Sequence, residues 1–109
     1  MNFFIGCTSV TDSDRLIGTW EWKDGLQENT FIFYQNGSFY SYYLHYSTNE
    51  THKGWGEFEL KNDQLYLYTS HGLDGQIDSE YYDYIFSEGD TKLTVSSDKF
   101  GTIILNKIS

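Results

Sequence analysis

From Glu57 to Tyr68 the chain alternates apolar and polar residues with a period of two. Phe58 and Leu60 alternate with Glu57, Glu59 and Lys61, and Leu65 and Leu67 alternate with Gln64, Tyr66 and Tyr68. That period belongs to a strand with one buried face. Asn62-Asp63 separates the two runs as a two-residue turn. The turn sets Leu60 opposite Leu65 and Phe58 opposite Leu67, all on one face, so pattern and turn geometry agree.

The rest of the chain repeats this grammar. The second and third strands meet at Asn36-Gly37. A two-residue turn there pairs Phe33 with Tyr40, whereas a type I turn with Gly37 as a left-handed bulge residue pairs Phe33 with Phe39. The second register is preferred. It turns Phe31, Phe33, Phe39, Ser41 and Tyr43 inward and Tyr34, Tyr40, Tyr42, Leu44 and Tyr46 outward; a slip of one residue reverses the whole third strand. A sixth strand over about Glu80–Ser87 offers Tyr82, Tyr84 and Phe86 to one face. Glu88-Gly89-Asp90 turns the chain, Leu93 and Val95 return on a seventh strand, and Ile103 and Leu105 lie on an eighth. With a first strand at about Gly18–Lys23 the count is eight. The expected fold is all-β, an eight-stranded antiparallel up-and-down barrel, and closure removes the exposed edges of so strand-rich a chain. Composition agrees. The 109 residues contain no proline and no alanine, and 19% are aromatic, which fits pleated surfaces better than helices. The one helical turn expected is near Asp12–Leu16, capped by Asp12 or Ser13.

The first strand begins Gly18-Thr19-Trp20. An early Gly-x-Trp entering a meander of hairpins resembles the calycin group of barrels, which comprises lipocalins, fatty-acid-binding proteins and avidins. The resemblance covers residues 15–108 at the level of pattern. It implies a lipocalin-like barrel that holds a small molecule in its interior or at its mouth. It also implies that Trp20 closes one end of the barrel, with Gly18 beside it, under a basic side chain from the last strand. Lys107 is the candidate for that side chain, standing where the pattern usually has an arginine.

Trp22, Phe31, Phe33, Phe39, Tyr43, Trp55, Phe58, Tyr82, Tyr84 and Phe86 are the candidate wall of a ligand site. Tyr43, Tyr82, Tyr84 and His45 are its candidate polar handles. The same aromatics could instead fill the barrel, since each buries ~150–250 Å². In that alternative the outward set Tyr40, Tyr42, Tyr46, Tyr66, Tyr68 and Tyr81 would contact a protein or glycan. Ordinary cross-strand pairing is the plainer reading of those tyrosines.

Other function classes have little support. The formal charge is −9, and Arg15 is the only arginine beside six lysines; nucleic-acid binding needs cations on phosphates, so no nucleic-acid partner is expected. There is no nucleophile elbow, phosphate-binding glycine loop or His-Glu-x-x-His, so neither catalysis nor a cofactor is expected. His45, His52 and His71 lack metal-ligand spacing. The carboxylates of the His71–Glu80 loop do not match an EF-hand, so no metal is expected.

Residues 1–14 read as a disordered arm and residues 15–109 as the barrel. Within the arm, Phe3-Phe4-Ile5-Gly6-Cys7 resembles the end of a lipoprotein signal peptide, in which the cysteine is lipidated and the polar stretch to Asp14 serves as a tether. The basic start and the ~7–15 apolar residues of a full signal are missing. Lipidation at Cys7 would place the domain outside the cell on a membrane surface, with the membrane engaged only through that anchor. The other reading is an incidental thiol.

Overall fold

The computed structural model describes residues 11–70, 77–99 and 101–109. One short helix, α1 (Asp12–Leu16), leads into eight strands: β1 (Gly18–Lys23), β2 (Gln27–Phe33), β3 (Ser38–His45), β4 (Glu50–Lys61), β5 (Gln64–Ser70), β6 (Ile77–Ser87), β7 (Lys92–Ser97) and β8 (Gly101–Lys107). Each strand pairs antiparallel with the next, and β8 returns to β1, closing the barrel.

The turns explain the register. Asn62 and Asp63 both hold positive φ, 54° and 60°, as a two-residue type I′ turn requires. Leu60 accordingly pairs with Leu65 and Phe58 with Leu67. Between β2 and β3, Gly37 N–H donates to the Tyr34 carbonyl at 3.1 Å, and Gly37 has φ 89°. This is the bulged turn, and it sets Phe33 opposite Phe39.

Helix α1 is capped one residue earlier than the sequence suggested. Thr11 is extended, and its hydroxyl accepts from Asp14 N–H at 3.2 Å. The Asp14 carboxylate accepts in return from Thr11 N–H at 3.3 Å. This reciprocal box satisfies two N–H groups that the helix leaves open. Asp12 is thereby released for other work, and Thr11–Asp14 forms a built helix start. Cys7 and the rest of residues 1–10 lie outside the described residues.

Strand β4 is long because it serves two neighbours in succession. Residues 50–57 pair with β3 and residues 56–61 with β5. Glycine marks the handover: a Cβ on Gly56 would sit 1.9 Å from the Tyr68 carbonyl oxygen, and one on Gly54 would sit 2.7 Å from Ser41 Oγ. Such close approach is typical of a barrel corner. Trp55, expected on the inner wall, therefore points outward opposite Tyr40 and is 49% exposed. The inward positions on either side of it belong to the two glycines.

The core is a single cluster of Leu16, Trp20, Phe33, Phe39, Leu65, Leu67, Leu93, Val95 and Leu105, each almost fully buried. Every strand except β4 and β6 places at least one residue in it. Phe58 and Leu60 of β4, and Tyr82, Tyr84 and Phe86 of β6, pack against it half-buried. Burial on this scale contributes roughly 1.5–3 kcal/mol for each large side chain.

Candidate functional site

The barrel has a closed end and an open half. At the closed end the Trp20 indole N–H donates to the Leu16 carbonyl at 2.8 Å. Leu16 itself is buried beneath the strands. The Lys107 ammonium lies 5.7 Å from the centre of the Trp20 ring, within cation–π range. Gly18 has φ 138°, and a Cβ there would fall 2.6 Å from the Ser109 carbonyl and 2.8 Å from Lys107 Cε. The glycine thus lets the C-terminal residues close over β1, where Thr19 N–H donates to Ser109 and Ile108 N–H donates to Thr19. Tyr84 belongs to this end as well. Its hydroxyl donates to Asp12 at 2.7 Å, and Arg15 pairs with both Asp12 (3.1 Å) and Asp90 (3.4 Å). Burial, then the bond to Asp12, pushes the Tyr84 hydroxyl up to about 12.

The open half contains an apolar pocket of about 190 Å³. Its wall is Phe31 and Phe33 of β2, Leu65 and Leu67 of β5, Tyr82 of β6, Val95 of β7, and Gly101, Ile103 and Leu105 of β8. Tyr82 carries the one side-chain hydroxyl in that wall. It donates to the Glu80 carboxylate at 3.3 Å. Burial first, and then the negative charge of Glu80, pushes its pKa well above the usual phenol range.

The strand ladders thin out around this pocket. Among the described residues β6 pairs with β7 only over Asp83–Ser87. β8 pairs with β1 only at Trp20–Lys107 and Glu21–Asn106. Val95 on β7 is laddered to Tyr84 of β6, but residues 101–105 of β8, which carry Ile103 into the wall, have no backbone ladder to β1. A segment held this way opens at lower cost than a strand paired on both sides.

The structure places only part of the aromatic set on the pocket. Phe31, Phe33 and Tyr82 line it. Phe39 and Phe58 pack behind Phe33, with ring centres at 6.4 Å and 5.1 Å. Trp22 is half-buried against the core and off the wall. Tyr43 faces His52 at 5.7 Å, and His45 is engaged in the β3–β4 turn with Ser47 and Thr48. Tyr84 and Phe86 lie at the closed end, packed edge to face at 5.7 Å. The aliphatic part of the wall is visible in the sequence, where Leu65 and Leu67 share one face and Val95, Ile103 and Leu105 fall on the last two strands. Ranking by aromaticity hid it.

Most of the outer tyrosines are engaged with one another and with carboxylates. Tyr66 stacks on Tyr81 at 5.6 Å and on Tyr68 at 6.3 Å. Tyr68 donates to Glu59 and Tyr46 to Glu28. These are the cross-strand pairs that stiffen a sheet. Among the described residues no three His, Cys, Asp or Glu side chains are grouped to hold a metal. His71–Gln76 of the acidic loop lie outside the described residues.

Neither a family model nor a curated protein matches the sequence. Solved structures do match in shape. A protein from Bacteroides thetaiotaomicron superposes with a TM-score of 0.66 at 18% identity, covering 89% of this chain and 92% of its own. A protein from Bacteroides uniformis, described as lipocalin-like, superposes with a TM-score of 0.61 at 16% identity, covering 86% of this chain and 99% of its own. At these identities the likeness concerns the fold: this chain is a small lipocalin-like β-barrel.

Proposed function

We propose that this lipocalin-like barrel is a non-enzymatic binding domain that holds a small apolar or aromatic molecule in its open half. One observation carries the reading. Nine core and near-core aromatics could have filled the barrel, yet an apolar pocket of about 190 Å³ stays open between β2 and the β5–β8 wall. Concave apolar walls with few polar groups are what small-molecule sites share. The gap between β8 and β1, where residues 101–105 have no ladder partner, supplies a route in.

The test is a methyl NMR titration of the purified domain with toluene. The reading expects saturable shifts concentrated at Leu67, Val95 and Ile103, with the closed-end methyls of Leu16 and Leu93 unmoved. Absence of any saturable shift would contradict it.

The same proposal has the domain displayed outside the cell, tethered through Cys7. Its support is the Gly6-Cys7 segment alone. Mass spectrometry of the chain made in a host that processes lipoproteins tests it. Added lipid mass on Cys7 supports the tether, and an unmodified cysteine removes it.

A further inference from the structure

We infer that the pocket takes an uncharged molecule of about one ring, and that it discriminates against carboxylates and long acyl chains. The inference rests on the binding function just proposed and narrows its ligand by size and by charge.

Size comes from the volume. A cavity of about 150 Å³ lined by Leu, Ile and Phe stays dry and holds benzene. At about 190 Å³ this pocket has room for one ring with one or two substituent atoms. A sixteen-carbon chain would leave most of its length outside. The walls on either side do not extend the space: Phe39 and Phe58 block it behind Phe33, and Trp20 closes the far end.

Charge comes from the wall and from the Glu80 carboxylate bonded to Tyr82. Among the described residues no cation lies in the wall, and its one hydroxyl is already donating to Glu80. An anion entering there would lose its hydration without gaining a partner, which is costly. Glu80 would also repel it, and the protein as a whole carries −9. A neutral hydroxyl gives up less hydration on entering such a wall than a carboxylate does. A ring bearing one O–H matches the wall better than a ring bearing a carboxylate.

Calorimetric titration with four probes tests this: toluene, p-cresol, benzoate and palmitate. Toluene and p-cresol should bind, benzoate should bind at least ~10-fold more weakly than p-cresol, and palmitate should not bind. The variant Glu80→Lys puts a cation where the Tyr82 hydroxyl now meets a carboxylate and should bring benzoate within a few-fold of p-cresol. Benzoate or palmitate binding as tightly as the neutral rings in the unaltered protein would overturn the charge and size assignment and leave the binding function standing. Failure of all four probes would overturn the binding function itself. A benzoate affinity unchanged by Glu80→Lys would overturn the assignment of selectivity to the Glu80 carboxylate.

Discussion

The indole N–H of Trp20 donates to the backbone carbonyl of Leu16 at 2.8 Å, tying helix α1 to the first strand at the base of the barrel. Both residues are essentially without solvent contact. Trp20 therefore acts as a plug and as the satisfying partner of a helix-end carbonyl. Trp20→Ala should cost about 3–5 kcal/mol through cavity formation. Trp20→Phe should cost less but still leave the Leu16 carbonyl unpaired. Urea unfolding measures both, and a loss below 1 kcal/mol for the alanine variant would mean that the end is not closed as described.

Two glycines should respond oppositely to alanine. Gly56 has no room for a Cβ, because the Tyr68 carbonyl oxygen would lie 1.9 Å away. Gly25, in the β1–β2 turn, has nothing within 4 Å and no positive φ. Gly56→Ala should destabilise by roughly 1–3 kcal/mol or more as the strands shift, whereas Gly25→Ala should be neutral or stabilising by up to about 1 kcal/mol. Comparing their thermal midpoints checks the position of the barrel corner.

Tyr84 gives the closed end a dependence on high pH. Its hydroxyl titrates near 12 when folded against 10.0 ordinarily. A folded pKa above the unfolded one favours the protonated form, so the contribution is complete below pH 10 and is lost as pH rises from 10 towards 12. Tyr84→Phe should lower stability at pH 7 by about 1 kcal/mol, the worth of one hydrogen bond. It should also flatten the decline between pH 10 and 12. Parallel curves for the two proteins would show that the Asp12 contact contributes nothing.

Trp55 is a tryptophan without a core role. It stands outward at 49% exposure, whereas Trp20 is fully buried. Trp55→Ser should change stability by less than about 0.5 kcal/mol and should remove most of the acrylamide-quenchable fluorescence. A large loss of stability would place Trp55 back inside the barrel.

What the sequence made legible was whatever local chemistry decides. Asn62-Asp63 and Asn36-Gly37 determine their own turns, and each turn fixes the facing of a dozen neighbours. Phe33 opposite Phe39 follows from Gly37 alone. The helix cap was displaced by one residue because Thr11, Asp12 and Ser13 are all competent caps, and only the reach of Asp14 back to Thr11 selects among them. Trp55 was misplaced because alternation continues through Gly54-Trp55-Gly56, and nothing in a strand pattern says that the small residues take the inside. The pocket was half legible. Its inward residues follow from alternation, but which of them border empty space depends on how Phe39 and Phe58 pack on Phe33, a long-range relation. The ladder gaps beside the first half of β6 and beside β8 depend on strand stagger around the whole barrel, which no local pattern encodes.

The central claim is that the open half of this barrel is an empty apolar pocket. Diffraction from crystals held under xenon tests it most directly, because xenon enters dry apolar cavities. The account predicts a xenon peak between Phe31, Leu67, Val95 and Ile103, and its disappearance in Ile103→Phe. An interior filled by side chains, with no xenon in the unaltered protein, would contradict it.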